Sequence, residues 1–202
     1  MRDIYFDSTS HTYTVDGKLV DSVTTILKSL GLDDYNMVPP DVLENARRRG
    51  QAVHDMIRDH HNGSLDVANI GEELMPYYCA WEDFLESSGF KPLLSEAVVY
   101  SERHNFIGTL DLAGSLQKKG RSLRRVVVDT KCTFMVMPSA AIQTAGYEIA
   151  LAETIGMKDP MERYVLHLKD GKFKLVPCTD TRDRMIFLSA LNIHNWKREQ
   201  RK

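Results

Sequence analysis

The pattern of apolar and polar positions changes its period several times along the chain. Polar and apolar residues alternate over His11–Val15 and again over Lys18–Val20, which predicts a β-hairpin that turns at Asp16-Gly17. Ser22 then stands at an N-cap position before a short apolar segment that ends at a glycine. The chain is therefore expected to open with a hairpin and a short helix.

Further along, the periodicity predicts four more helices and five strands. Apolar residues recur at helical spacing over 41–61, 70–89, 138–155 and 179–196. Apolar segments rich in β-branched residues cover 93–102, 106–117 and 124–133, which suits an antiparallel meander, and 163–178 predicts two strands joined through Asp170-Gly171. We therefore expect one α/β domain over 1–202, with a central mixed β-sheet flanked by helices. Its parts are a hairpin and helical extension (1–90), a core (91–178) and a C-terminal helix (179–202).

Composition restricts the class of protein without naming a function. A chain that is 43% hydrophobic and 27% charged is typical of globular proteins and not of disordered ones. The net charge of −2 does not indicate nucleic-acid binding and does not exclude it, because binding needs only a local basic face. No apolar run approaches the ~18 residues that span a bilayer, and the N-terminus lacks the apolar core of a signal peptide, so we expect a cytoplasmic protein without a membrane partner.

The segment VVVDTKCT, residues 126–133, combines a buried strand with charged residues. Residues two apart on a strand share a face, so Asp129 and Lys131 are expected to point the same way. Burying a carboxylate is costly unless a cation accompanies it. Asp111 interrupts the apolar alternation of the preceding strand and would lie beside Asp129 if the two strands pair antiparallel. Two carboxylates and the carbonyl oxygen of Thr130 suit Mg²⁺ or Mn²⁺, although a surface ion pair is the alternative interpretation.

Asp111, followed eighteen residues later by Asp129-Thr130-Lys131, resembles the D…(D/E)xK signature of the PD-(D/E)xK nuclease superfamily. Gln143 and Tyr147, on the helix after that strand, resemble the QxxxY element of the RecB-like and phage-type exonuclease branch. The order of these motifs along the chain makes the match specific, while D-x-K alone occurs by chance.

Three upstream segments extend the resemblance. ARRRGQAVHDMI resembles the RGxxxH helix of that branch, which implies that His54 is a metal ligand. Glu96 matches the acidic residue that begins the first core strand of the family. The opening HTYTVDGKLVDSVTTIL is similar to the N-terminal element of phage and mitochondrial genome maintenance exonucleases, which implies DNA-end contacts for Ser22 and Thr24. One subset of the RecB-like nucleases binds an iron–sulfur cluster through four cysteines. This chain has three cysteines, so no such cluster is expected.

The resemblance implies a restriction-endonuclease-like core and a metal-dependent DNA exonuclease of phage or bacterial recombination or repair, with DNA and a single-strand annealing or recombination protein as partners. One or two Mg²⁺ or Mn²⁺ ions would be held by His54, Asp111, Asp129 and the Thr130 carbonyl. The implied catalytic residues are Glu96, Asp111, Asp129, Lys131, Gln143 and Tyr147. The implied DNA-binding residues are Ser22, Thr24, Arg47, Gln143 and Tyr147.

Several alternatives remain open at the level of sequence. His54 could be a hydrogen-bonded, partly buried histidine, and Gln143 and Tyr147 could serve only the packing of helix on sheet. The enzyme could be a structure- or site-specific endonuclease of the same superfamily. It could also be a non-catalytic DNA-binding module that keeps only the fold.

Overall fold

The computed structural model describes residues 2–32, 38–117 and 122–200. In these ranges the strands are β1 Ile4–Asp7, β2 Thr12–Val15, β3 Lys18–Val20, β4 Phe90–Ser101, β5 Phe106–Leu116, β6 Arg124–Lys131, β7 Glu162–Lys169 and β8 Lys172–Pro177. The α-helices are α1 Val23–Lys28, α2 Pro40–His61, α3 Met75–Ser88, α4 Ser139–Thr154 and α5 Asp183–Glu199.

The larger sheet has five strands in the order β4-β5-β6-β7-β8. Strands β4, β5 and β6 form an antiparallel meander, as predicted. Strand β7 runs parallel to β6 because helix α4 carries the chain back across the sheet, and β8 returns antiparallel. The predicted α/β class with a mixed sheet flanked by helices is confirmed.

The predicted N-terminal hairpin is also confirmed, and a third strand extends it. Strands β2 and β3 pair antiparallel, and β1 pairs with the other edge of β2 to give a three-stranded sheet. His11 lies outside β2, in a turn with a φ of 51°. Strand β1 was not predicted from the sequence, because three of its four residues are exposed and its side chains show no apolar alternation.

Two apolar clusters pack on opposite faces of the larger sheet. Val127 belongs to the cluster that includes residues of α1, α4 and α5, whereas Val126 and Val128 belong to the cluster that includes residues of α2 and α3. Because side chains alternate along a strand, Asp129 and Lys131 continue the face of Val127. The charged end of β6 is therefore directed towards helix α4.

Two predicted helices begin later than the periodicity indicated. The residues before α3 form a 3-10 turn over Val67–Asn69, and α3 starts at Met75 with Pro76 in its first positions. Before α5, the Asp180 carboxylate accepts a hydrogen bond from the Arg182 backbone N–H at 2.9 Å, which holds a turn in place of a first helical turn. Within the described part of the chain, none of the helices has the length and apolar character required to cross a membrane.

Candidate functional site

Three acidic side chains form a row across neighbouring strands of the larger sheet. Glu96 and Asp111 lie between the β4–β5 pairs Ser95–Leu112 and Ala97–Leu110. The hydrogen bond from the Thr130 N–H to Asp111 brings the end of β6, with Asp129, next to Asp111. Residues directly opposite one another in paired strands lie about 5 Å apart, so the three carboxylates share one neighbourhood. Like charges at that separation repel unless a cation or proton is held between them.

Helix α2 contributes an imidazole to this row. His54 Nδ1 lies 2.9 Å from Glu96 Oε1 and 3.7 Å from Asp111 Oδ1. Of the residues that the structure describes, His54, Glu96 and Asp111 are the group whose ligand atoms all lie within 4.8 Å of one another. These three residues could hold a metal ion.

The protonation of His54 reflects the two carboxylates. Burial lowers its pKa, but the charges of Asp111 and Glu96 outweigh burial and raise the pKa to about 9. In the absence of a cation the ring is therefore an imidazolium at neutral pH, and its charge balances those of the carboxylates. A bound cation would take over this balancing role and need the ring in its neutral form.

The β6 backbone fixes the orientation of Asp111. The Thr130 N–H donates a hydrogen bond of 2.6 Å to Asp111 Oδ2, which leaves Oδ1 turned towards His54. Burial raises the pKa of Asp111, and the nearby charges of His54 and Lys131 lower it in part. One oxygen of Asp111 is thus held by the sheet while the other belongs to the candidate metal group.

Asp129 and Lys131 form an ion pair at the end of β6. Lys131 Nζ donates a hydrogen bond of 3.1 Å to Asp129 Oδ1 and lies 2.9 Å from Oδ2. Oδ2 is fully buried and, despite that contact, makes no hydrogen bond of acceptable geometry. Burial raises the pKa of Asp129 to about 6, although Lys131 lowers it. Because this oxygen can accept a further contact and lies beside Asp111, it is a candidate ligand for a cation.

Helix α4 braces the lysine. Lys131 Nζ donates to Gln143 Oε1 at 3.2 Å, and Gln143 Nε2 donates to the Tyr147 hydroxyl at 3.0 Å. Burial, and then the charges of Asp111 and Asp129, hold the pKa of Tyr147 well above its usual range, so the phenol stays protonated. These contacts give the spacing of four residues between Gln143 and Tyr147 a physical role.

The remaining predicted site residues lie on the elements around this centre. Ser22 is buried, and its hydroxyl accepts a hydrogen bond from the Thr25 N–H as the N-cap of α1, while Thr24 is partly exposed. Arg47 is exposed on α2, two helical turns before His54, with Glu44 as an ion-pair partner at 4.0 Å. DNA contact by Ser22, Thr24 and Arg47 stays a prediction, and so do metal ligation by Asp129 and by the Thr130 carbonyl.

Sequence reasoning missed one extended feature of this face. Lys131 pairs with His167 on β7, and His167 pairs with Lys174 on β8. Two positions further towards the turn of the hairpin, Lys169 pairs with Lys172. We call Lys131, Lys169, Lys172 and Lys174 the lysine strip. The signal was present in the alternation K-F-K of residues 172–174, but its proximity to Lys131 depends on the β6–β7 register.

The donor set fits a divalent cation on its own chemistry. It comprises two carboxylates and an imidazole, with the buried Asp129 oxygen beside them. Comparisons with known proteins add no further information on this point: no family model matches the chain, and no curated protein matches it. The argument for function therefore depends on the geometry of the site.

Proposed function

We propose that this protein is a metal-dependent DNA exonuclease that hydrolyses phosphodiester bonds at DNA ends. One observation carries the proposal: His54, Glu96 and Asp111 converge as potential metal ligands directly beside the Asp129–Lys131–Gln143 chain of contacts. Phosphodiester hydrolysis needs a cation for the phosphate charge and a positioned group for the attacking water. The two halves of this site supply both requirements.

The fold supports the same proposal. A restriction-endonuclease-like core would place acidic residues and a lysine on adjacent strands of a mixed sheet, with a helix packed over them. Strands β4 to β7 and helix α4 have this arrangement, with Asp111 on β5 and Asp129 and Lys131 on β6. The resemblance to the PD-(D/E)xK nucleases and the packing of the sheet thus point to one function.

Within the proposed reaction, each side chain has a defined task. Lys131, held by Asp129 and Gln143, presents its ammonium to the attacking water or to a phosphate oxygen. Because these contacts hold the amine in place, we assign Lys131 to orientation and charge stabilisation. Tyr147 fixes the amide of Gln143 so that its oxygen faces Lys131. Each of these groups is set before substrate arrives.

The cation is assigned from the donor chemistry. We propose Mg²⁺ or Mn²⁺, held by His54, Glu96 and Asp111, with Asp129 and the Thr130 carbonyl on the adjoining strand. When bound, the ion would supply Lewis-acid stabilisation of the phosphate charge. An imidazole among the ligands favours Mn²⁺ over Mg²⁺ relative to an all-oxygen site.

DNA would approach along the charged face of the sheet. Thr24, Ser22 and Arg47 are the proposed contacts on the side of α1 and α2, and the lysine strip lies on the side of β8. Such contacts address the phosphate backbone and carry no sequence preference. A role in recombination or repair, in the cytoplasm of a bacterium or of a phage host, follows from the same proposal. A single-strand annealing or recombination protein would be its partner.

The proposal is tested with end-labelled DNA. Linear duplex labelled at the 5′ or 3′ end, single-stranded DNA and covalently closed circles are incubated with purified protein in Mg²⁺, in Mn²⁺ and in EDTA. We expect linear DNA to be degraded with metal, circles to survive, and EDTA to abolish hydrolysis. Nicked circles would instead identify an endonuclease.

Two variants connect the activity to the site. Asp111→Asn should reduce hydrolysis by about 10²–10³-fold, because an amide in place of the carboxylate weakens the group that would hold the cation for the phosphate charge. Glu86→Gln, an exposed substitution on α3, is the matched control and should leave the rate unchanged. If Asp111→Asn hydrolyses DNA at the wild-type rate, or if the wild type binds DNA without hydrolysing it, the catalytic proposal is wrong.

A further inference from the structure

The loop that joins β6 to α4, residues 132–138, exposes an apolar tip beside the candidate site. Phe134 is 83% exposed, Met135 60% and Met137 38%. Large side chains of this kind in a contiguous exposed segment are uncommon on soluble proteins and mark interaction sites. This loop begins directly after Lys131, at the end of β6 that carries the candidate site.

The base of the loop is fixed although its tip projects. His167 Nε2 donates a hydrogen bond of 2.7 Å to the Thr133 carbonyl, and the Thr133 hydroxyl donates to the Met135 carbonyl at 2.8 Å. His167 is itself the β7 neighbour of Lys131. The position of Phe134 relative to Lys131 is therefore set by the sheet.

A lysine lies against the aromatic ring of the tip. Lys169 Nζ lies 4.1 Å from the centroid of the Phe134 ring, and its β8 partner is Lys172. Lys174 completes the strip two positions closer to Lys131, opposite His167. An aromatic ring with a lysine against it and further lysines on the same strands combines the two features that proteins use for unpaired nucleic acid, which are a stacking surface for the bases and cations for the backbone.

A groove of about 510 Å³ lies behind the loop, open to solvent. Met135, Met137, Val165 and Val176 give it an apolar lining, and His167 and Lys174 provide polar groups. Its volume is sufficient for a nucleoside. Methionine side chains adapt to surfaces of different shape, which suits a groove that must accept any of the four bases.

We propose that the 132–138 loop separates the terminal base pair of a DNA duplex, with Phe134 stacking on the exposed base and the groove receiving its unpaired neighbour. This inference rests on the proposed function and deepens it, since it assigns a structure-sensing element to the same site. An apolar side chain inserted at a base step is a known means of unstacking DNA. The strand released there enters the site at Lys131.

The first test compares two kinds of DNA end. Hydrolysis is measured on a blunt duplex and on a duplex of equal length whose last base pairs are mismatched. Phe134→Ala should lower kcat/KM on the blunt duplex by about 10-fold and on the mismatched duplex by less than about 2-fold. Leu93→Ala, at a residue of 68% exposure on β4, is the matched control and should affect neither substrate.

The second test measures base separation without hydrolysis. Asp111→Asn protein is mixed with duplex DNA that carries 2-aminopurine at the terminal position, and fluorescence is recorded in Ca²⁺ and in EDTA. We expect a rise in fluorescence on binding, loss of that rise in Asp111→Asn/Phe134→Ala, and its return in Asp111→Asn/Phe134→Trp.

The outcomes separate the two levels of the argument. The inference about the loop is wrong if Phe134→Ala loses equal activity on blunt and mismatched ends. It is also wrong if the alanine variant keeps the 2-aminopurine signal. In either case, hydrolysis by the wild type still supports the exonuclease proposal. Absence of hydrolysis in the wild type overturns the exonuclease, and the fluorescence arm then decides whether the loop still opens DNA ends. Because Phe134 is exposed, its replacement leaves the fold intact, which circular dichroism checks.

Discussion

Glu96 adopts a backbone conformation that is uncommon for its residue type. Its φ is 50°, in the left-handed region, although it lies within strand β4. A glutamate held there has no local side-chain hydrogen bond of the kind that lets asparagine or aspartate occupy that region. Strain of this kind, on the order of 1–3 kcal/mol, is concentrated at functional sites. The distortion lies at the glutamate that contacts His54, which supports its proposed role as a ligand.

The backbone strain at Glu96 is measurable with two variants of similar chemistry. Glu96→Asn and Glu96→Gln both remove the carboxylate, but asparagine tolerates a positive φ. We expect Glu96→Asn to have the higher free energy of unfolding, by about 1 kcal/mol. Urea unfolding of the metal-free proteins gives the difference, and equal midpoints would show that the strand is not strained at this residue.

The candidate metal group makes a prediction for cation binding. A cation present at 100 times its Kd stabilises the folded protein by about 2.7 kcal/mol, which raises Tm by roughly 5–10 °C for a chain of this size. Mn²⁺ should give this increase in the wild type. Because His54 and Glu96 are members of the group, His54→Ala and Glu96→Gln should abolish it.

Asp129→Asn tests whether the cation is held by His54, Glu96 and Asp111 or by the end of β6. Asp129 contacts Lys131 and lies outside the three-residue group, so its variant should retain part of the Mn²⁺-induced increase in Tm. Differential scanning fluorimetry with and without Mn²⁺ provides the measurement. An increase that survives in His54→Ala and disappears in Asp129→Asn would move the cation to the end of β6.

At the scale of the element, a close contact between β5 and α4 holds the Tyr147 ring in place. A Cβ added to Gly108 would lie 2.7 Å from the Tyr147 ring, so only glycine allows the ring to lie against the strand. The ring in turn positions the hydroxyl that holds Gln143. The packing of α4 on β5 thus affects the position of Lys131 through two hydrogen bonds, Tyr147–Gln143 and Gln143–Lys131.

The same substitution at two glycines should have opposite effects on stability. Gly108→Ala overpacks the β5–α4 contact and should lower the free energy of unfolding by about 1–3 kcal/mol, with a fall in kcat. Gly50→Ala, in the interior of α2 with no atom within 4 Å of the added Cβ, should raise it by up to about 1 kcal/mol. Chemical denaturation of both variants decides, and a stabilised Gly108→Ala protein would contradict the contact.

Elements with strong local signals were predictable from sequence. Helix α2 was expected over 41–61 and occupies Pro40–His61. It was predictable because the prolines before it, its helical periodicity and the residues that end it are all local signals in the sequence. The proximity of Asp111 to Asp129 was likewise inferred from two adjacent strands of one meander. Local pattern was sufficient wherever the partner lay close in the chain.

Features that depend on distant partners were less accessible. Glu96 was expected among the catalytic residues and not among the metal ligands, because the approach of α2 to β4 and a positive φ cannot be read from periodicity. The lysine strip was missed because Lys174 joins Lys131 only through β7, across a parallel register set by α4. The residues of the site were therefore predictable from the sequence motif, but their positions relative to one another were not.

At the scale of the whole molecule, local charge and net charge differ. The chain carries 26 basic and 28 acidic residues, so its average field does not attract a polyanion. The lysine strip concentrates four of the basic residues on the face of the sheet that carries Asp129. Counterion release depends on such local contacts with phosphates and not on the net charge.

This distribution predicts a localised salt dependence of DNA binding. Each phosphate contact contributes about 1 to the slope of log K against log salt, so Lys174→Gln should reduce the slope by about 1 and weaken binding equally for all sequences. Lys158→Gln is the matched control, because Lys158 is exposed in the connection that leads into the other end of β7, away from Lys131. Fluorescence anisotropy of Asp111→Asn protein in Ca²⁺, at several salt concentrations, gives both slopes without hydrolysis. Identical slopes for the two lysine variants would place the bound DNA away from β8, whereas a reduced slope for Lys174→Gln alone would extend the DNA path from the carboxylates to the edge of the sheet.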